Sequence, residues 1–159
     1  MSVLDAIDRK ILKTLQADGR ITNQNLADAV GLSPSPCLRR VKALEQQGVI
    51  SGYTAVLDQE KVGLSLNAFI SVKLEKQGEE QITTFEREMT AFPEVQECYL
   101  MTGTRDYLLR VVVRDLNAFE KFIKRKMIRI PAIASIESSF ALTQVKRSRE
   151  LPVDQAPSG

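Results

Sequence analysis

Two kinds of apolar spacing alternate between residues 65 and 145, and their order limits the folds that this part of the chain can adopt. Strand-like alternation begins at Ser65 and returns over Val95–Thr102, Tyr107–Val113 and Ile133–Leu142. Helical spacing separates these stretches in two places, with apolar residues at Ile82, Phe85, Met89 and Phe92, and at Leu116, Phe119, Ile123, Met127 and Ile130. The order strand, helix, strand, strand, helix, strand predicts a ferredoxin-like (βαββαβ) domain, in which two helices cover one face of an antiparallel sheet.

The sheet face away from these helices also carries apolar side chains, such as Phe69, Leu108 and Val112. A monomer would leave this face in water, and large exposed apolar patches usually mark interfaces. We therefore expect a homodimer in which two sheets stack on each other.

Residues 1–57 have a different pattern, which is typical of three short helices. The apolar residues with helical spacing are Leu4, Ile7, Ile11 and Leu15, then Leu26, Ala29 and Val30, then Cys37, Val41 and Leu44. Thr22 is a candidate N-cap of the second helix and Gly31 a candidate C-cap, while Ser33-Pro34 opens the third helix. Short helices joined by a turn that contains glycine indicate a helix-turn-helix.

Residues 49–57 resemble two short strands around Ser51-Gly52, which would form a small wing. The fold class predicted from the whole sequence is therefore α+β, an N-terminal winged helix-turn-helix followed by the ferredoxin-like domain. We place the first domain at residues 1–57, a linker at 58–64, the second domain at 65–145 and a loosely held tail at 146–159.

Composition argues against several other classes of protein. The net charge is +2, and residues 1–60 hold seven Lys and Arg against seven Asp and Glu, so DNA attraction would depend on local placement. The chain has no histidine, the usual general acid-base residue and a common metal ligand, so we expect no catalytic residues and no metal site. With no apolar run of membrane length, no export signal and only Cys37 and Cys98, which we assign to packing, the expected location is the cytoplasm.

The third helix is the one that a helix-turn-helix places in the major groove of double-stranded DNA. The residues that we predict to contact DNA are Ser33, Ser35, Pro36, Arg39, Arg40 and Lys42. Ser35, Pro36 and Arg39 are the base-proximal candidates, whereas Arg40 and Lys42 are assigned to phosphates. The alternative is that the three basic residues form only a solvated helix face.

Four segments resemble the leucine-responsive regulatory protein/AsnC (Lrp/AsnC) family of bacterial and archaeal transcriptional regulators. They are LSPSPCLRRV at 32–41, LEQQGVISGYTA at 44–55, ECYLMTG at 97–103 and DYLL at 106–109. The resemblance extends from about Leu4 to about Lys146. It implies a sequence-specific regulator of amino-acid metabolism, whose dimers assemble into octamers, bind an amino-acid effector between dimers, and wrap or bend DNA.

The resemblance also implies an effector site at a hairpin turn. Its predicted residues are Thr102, Gly103, Thr104, Arg105, Asp106 and Tyr107, completed by Ser135, Ile136 and Ser138 of a neighbouring subunit. Backbone N–H groups around Gly103 would hold the effector carboxylate, and Asp106 would accept from its ammonium. The expected effector is leucine or another apolar amino acid, and no other cofactor is expected.

The sequence departs from the family at this turn, since many members carry an acidic residue after the glycine, whereas this chain has Thr104-Arg105. Two simpler interpretations therefore stay open. The hairpin may be an ordinary turn in which Asp106 pairs with Arg105 or a backbone amide, and the protein may be an architectural DNA-wrapping protein without an effector.

Two further alternatives concern catalysis and a second basic surface. Sirohaem decarboxylases resemble this family in fold but rely on histidine, which the chain lacks. The basic run of Lys121, Lys124, Arg125, Lys126 and Arg129 is either a solvated helix face or a surface along which wrapped DNA passes.

Overall fold

A computed structural model describes residues 4–75 and 78–156. The chain divides into two compact units. The helical unit contains residues 1–55 together with 145–159, and the sheet unit contains residues 56–144.

The helical unit is built from α1 (Ala6–Ala17), α2 (Asn23–Val30) and α3 (Pro34–Gln46). The predicted caps form: the Thr22 side chain accepts from the backbone of Asn25, and Gly31 ends α2 with a φ of 78°. A positive φ strains most residues but not glycine, so this position fixes the sharp turn into α3. The three helices bury one cluster of side chains, namely Ile11, Leu12, Leu26, Ala27, Val30, Cys37, Val41 and Leu44.

The segment after α3 does not form the two predicted strands. The backbone N–H groups of Val49 and Ile50 both donate to the carbonyl of Leu44, at 2.9 and 3.2 Å, which continues the helix end. Residues 51–57 are exposed and have no strand assignment. The alternation in this segment resembled strands, but a strand forms only where its backbone pairs with a second one.

The C-terminal segment, residues 151–156, packs on α1, so the prediction of a loose tail is wrong for these residues. Gln16 forms two hydrogen bonds with the backbone of Leu151: its Oε1 accepts from the amide at 2.6 Å, and its Nε2 donates to the carbonyl at 3.1 Å. Arg9 donates to the carbonyl of Ala156 at 3.0 Å. Val153 is half-buried against the helical core. The last three residues of the predicted tail lie outside the described residues.

We expect a chain that ends at residue 150 to have a helical unit about 2 kcal/mol less stable, because it loses three hydrogen bonds and the contact of Val153. Amide hydrogen exchange in α1 would measure this loss. A chain that ends at residue 156 keeps these contacts and is the matched control. Equal protection of α1 in both truncated chains would contradict the prediction.

The sheet unit has the predicted βαββαβ order. Its elements are β1 (Leu66–Leu74), α4 (Glu79–Ala91), β2 (Val95–Leu100), β3 (Tyr107–Val113), α5 (Leu116–Arg125), a 3-10 turn (Met127–Arg129) and β4 (Ile133–Phe140). The strands pair antiparallel in the order β2-β3-β1-β4. This arrangement confirms the ferredoxin-like fold.

The helices cover the sheet face that carries Ile70, Val72 and Leu109, all fully buried. The opposite face, which we call the open face, carries Phe69 at 37% exposure and Tyr99 at 52%. Leu108 is half-buried there. Val112 was predicted to be exposed on this face, but it is 7% exposed, and its amide donates to the carbonyl of Glu94 in the segment before β2.

Candidate functional site

Helix α3 presents a polar face to solvent. Ser35, Arg39 and Lys42 are exposed and lie at positions i, i+4 and i+7, which places them on one side of the helix. The opposite side is buried through Cys37, Val41 and Leu44. Within the described part of the chain, no carboxylate lies within ion-pair distance of Arg39 or Lys42. These two cations are therefore available to an anionic partner.

The start of α3 is held by α2. Asn23 of α2 donates from its amide to the carbonyl of Pro34 at 2.9 Å. Ser33 is the N-cap residue, and its exposed side chain makes no capping hydrogen bond. Pro36 is half-buried in the first turn. The first turn therefore has a fixed direction, with two serine hydroxyl groups, those of Ser33 and Ser35, exposed beside it.

Leu38 lies on the same exposed side of α3 and was absent from the sequence-based prediction. Its side chain is 42% exposed, although it is apolar. It is three residues after Ser35 and four before Lys42, so its spacing outside the buried stripe was the signal that identified its orientation. An apolar side chain among polar ones suits contact with a thymine methyl group.

Arg40 has carboxylate partners within the helical unit. Its NH1 atom lies 2.7 Å from Asp5 Oδ2 and 2.8 Å from Asp8 Oδ1. Both acids form the capping box at the start of α1. Arg40 therefore joins α3 to α1, which differs from its predicted role as a phosphate contact.

This contact gives the helical unit a pH dependence. The pKa of Asp5 is lowered because the backbone N–H of Asp8 donates to its carboxylate and because Arg40 pairs with it, effects that outweigh partial burial. A carboxyl group with a lowered pKa stabilises the folded state at neutral pH. This contribution is lost on acidification, as the pH falls through the pKa of the folded state.

The turn between β2 and β3 contains the predicted effector residues. Thr102, Gly103 and Thr104 are exposed, and Gly103 has a φ of 112°. The turn is closed by the Met101 amide, which donates to the carbonyl of Asp106 at 2.8 Å. It is therefore an accessible loop whose backbone conformation at Gly103 suits glycine.

Asp106 lies beneath this turn and is only 7% exposed. Its Oδ2 accepts from the backbone N–H of Leu74 at 2.7 Å, and its Oδ1 lies 3.4 Å from Lys73 Nζ. The strand register shifts between Lys73 and Leu74, so the carboxylate supplies an acceptor where the β1 ladder is irregular. This contact with β1 is the backbone-amide alternative that the sequence left open.

Arg105 leaves the turn and reaches β4. Its NH1 donates to Ser135 Oγ at 2.9 Å, and its NH2 lies 2.8 Å from Glu137 Oε2. Glu137 was not among the predicted site residues. The family pattern at the turn gave no signal for it, because the contact joins residues that are 32 positions apart.

The remaining predicted residues do not share one surface within the chain. Ser135 pairs with Lys73 in the register of β1 and β4, whereas Ile136 pairs with Val72 and Ser138 with Ile70. Val72 and Ile70 are buried under the helices, so Ile136 and Ser138 lie on the helix-covered face and Ser135 on the open face.

Tyr107 is a core residue. Its ring lies 4.6 Å from that of Phe85, and its hydroxyl donates to Glu86 Oε1 at 2.7 Å. Burial and this hydrogen bond raise its pKa. Its ring therefore stabilises the base of the turn, which differs from the predicted ligand contact.

Two searches of the described residues bear on other functions. They contain no group of three or more Cys, Asp or Glu side chains positioned to hold a metal ion. No helix among them has the length and apolarity needed to cross a membrane.

Known protein families match both units. The description "Winged helix-turn-helix DNA-binding" matches residues 4–51, and "Lrp/AsnC ligand binding domain" matches residues 67–151. The chain belongs to the Lrp/AsnC family. The resemblance that the sequence suggested is thereby confirmed.

Individual Lrp/AsnC proteins are similar over nearly the whole chain. The Bkd operon transcriptional regulator of Pseudomonas aeruginosa is 46% identical over 145 residues, which cover 91% of this chain and 95% of the relative. The leucine-responsive regulatory protein of Escherichia coli is 40% identical over 150 residues, 94% and 92% of the two chains. A transcriptional regulator of Neisseria meningitidis, solved with L-methionine, has a TM-score of 0.92 at 40% identity, covering 96% of this chain and 98% of that one.

These Lrp/AsnC relatives are DNA-binding transcriptional regulators, and so is this chain. The alternative of an architectural protein without an effector finds no support among them, because one of the solved relatives holds an amino acid.

Proposed function

We propose that this Lrp/AsnC regulator reads DNA with α3 and responds to an apolar amino acid bound at the β2–β3 turn. The observation that carries the DNA part is the exposed side of α3, where Arg39 and Lys42 have no carboxylate partner within the described residues. Arg39 is the base-reading residue, since an arginine can donate two hydrogen bonds to guanine. Lys42, Ser33 and Ser35 hold the phosphates, and Pro36 lies at the base edges.

The proposed effector site centres on the exposed turn of Thr102, Gly103 and Thr104. Backbone N–H groups of a turn can bind a carboxylate, and the open backbone around Gly103 leaves room for one. The relative from N. meningitidis was solved with L-methionine, and the E. coli relative is named for its response to leucine. Methionine and leucine are therefore the first effectors to test.

The proposed assembly is a homodimer that stacks two open faces, with dimers associating further into octamers. Phe69 and Tyr99 support the dimer, since both are large, exposed and on that face. Leu108 lies between them in the register of the strands. The effector would bind between dimers, where Ser135 of a neighbouring subunit completes the site. We further propose a cytoplasmic regulator of amino-acid metabolism without catalytic activity.

Light scattering coupled to size exclusion tests the effector and the assembly together. The protein is run alone and then with each of the twenty amino acids. We expect an assembly larger than a dimer whose mass or elution changes with methionine, leucine or a similar amino acid, because binding between dimers couples to association. A dimer of constant mass with every amino acid would contradict the proposed effector response.

A further inference from the structure

One corner of the open face differs from the apolar remainder. Lys73 of β1 lies opposite Ser135 of β4, and Ser71 lies opposite Glu137, so these four side chains share a face. Arg105 reaches the same place from the turn. We call Lys73, Arg105, Ser135 and Glu137 the polar corner. It combines two cations, a carboxylate and a hydroxyl beside the proposed effector turn.

The charges of the polar corner have different degrees of freedom. The carboxylate of Asp106 is buried and bonded to the Leu74 amide, with Lys73 beside it. By contrast, the side chains of Arg105 and Glu137 are 36% and 66% exposed. An ion pair at this exposure contributes little to stability, so exchanging its partners costs little. Arg105 and Glu137 are thus the pair that a charged ligand can reach.

We propose that Arg105 and Glu137 form a clamp for the zwitterionic head of the effector, in which Arg105 binds the α-carboxylate and Glu137 accepts from the α-ammonium. This inference rests on the proposed function, since it assigns chemistry to the same effector site. It also accounts for the sequence at the turn, where Thr104-Arg105 stands in place of the acidic residue of many relatives. The acceptor missing from the turn is supplied by Glu137 on β4, and Arg105 holds it there.

The geometry suits an exchange of partners. Arg105 uses NH1 and NH2 for Ser135 and Glu137, and a guanidinium can hold a carboxylate through two parallel N–H groups. An amino acid entering the corner replaces one ion pair by two, its carboxylate on Arg105 and its ammonium on Glu137. Ser135 stays within reach of Arg105 and keeps the guanidinium in place. Asp106 has a separate task, because its carboxylate secures the turn to β1.

The clamp therefore predicts which part of the effector is recognised by charge. A free α-carboxylate and a free α-ammonium are both required, whatever the side chain. L-Methioninamide lacks the carboxylate charge, and N-acetyl-L-methionine lacks the ammonium. Each derivative removes the partner of one clamp residue, so derivatives and protein variants can be combined in a cycle.

Isothermal titration of the full-length protein with L-methionine, L-leucine and the two derivatives tests the clamp. We expect R105Q and E137Q each to weaken binding of the free amino acid about tenfold or more, because each loses a charge-assisted hydrogen bond. R105Q should change methioninamide affinity less than about twofold, and E137Q should do the same for N-acetylmethionine, because the matching ligand charge is already absent. The control is E120Q, which removes a carboxylate from an exposed ion pair with Lys124 on α5.

Three outcomes would overturn the clamp. Wild-type affinity retained by both R105Q and E137Q would exclude it while leaving the effector site standing. Equal losses for the free amino acid and for the matching derivative would mean that the pair only holds the turn in place. Absence of binding by wild-type protein to any of the twenty amino acids would overturn the proposed effector function itself, and the clamp with it.

Discussion

R39Q lowers the affinity for DNA by about 1–3 kcal/mol, roughly tenfold to a hundredfold, with little change in thermal stability. Arg39 is exposed on α3 and contacts no carboxylate within the described residues, so its removal costs the fold little. Its loss removes a donor pair from the helix face that we assign to base edges. Fluorescence anisotropy measures the affinity, using a duplex selected from random DNA by the wild-type protein.

Arg40 provides the matched control, since it is the next residue on the same helix. R40Q breaks the contacts with Asp5 and Asp8, so we expect it to lower stability by roughly 0.5–1 kcal/mol and to affect DNA binding less than R39Q does. Thermal unfolding by circular dichroism measures the difference. If R40Q weakened DNA binding as much as R39Q at equal salt, the separation of roles between the two arginines would be wrong.

D106A should be the most destabilising single change in the sheet unit outside its apolar core. It removes the carboxylate that accepts from the buried amide of Leu74 and lies beside Lys73. Losing a charge-assisted hydrogen bond and leaving a buried amide unsatisfied costs about 2–3 kcal/mol. For a unit of this size, that lowers the melting temperature by roughly 10 °C. Calorimetry of the full-length protein would record the shift.

D106N separates the hydrogen bond from the charge. Asparagine keeps a side-chain oxygen for the Leu74 amide but loses the attraction to Lys73, so its effect should be smaller than that of D106A. Melting temperatures of D106A within about 2 °C of wild type would show that the buried carboxylate does not hold the turn.

Sequence reasoning succeeded wherever structure depends on neighbours along the chain. The side chain of Thr22 and the positive φ of Gly31 act within a few residues, and both were identifiable as caps. The alternation that ends in buried Ile70 and Val72 likewise has a short period. These local signals were sufficient for the order of elements, and hence for the ferredoxin-like topology.

The features that sequence reasoning missed join residues that are far apart in the chain. Arg40 and Asp5 are separated by 35 positions, and Gln16 and Leu151 by 135. A basic residue beside a recognition face looks the same whether it faces phosphate or an acid on another helix. A polar tail gives no sign that one glutamine will bind its backbone. Such pairings follow from the assembled fold and not from any local period.

The candidate site was predictable only in part, for the same reason. The exposed turn at Gly103 followed from its glycine and from the flanking strands. The placement of Ile136 and Ser138 on the helix-covered face follows from the register of β4 on β1, which the sequence did not specify. Glu137 entered the site through Arg105, a contact between two side chains that no motif records.

The most direct test of an amino-acid-responsive DNA-binding regulator is an anisotropy titration of the selected duplex, with and without a saturating amino acid. We predict that methionine, leucine or a similar apolar amino acid changes the apparent Kd about fivefold or more, because effector and DNA bind the same coupled assembly. Titration curves that superimpose in the presence of each of the twenty amino acids would contradict the account.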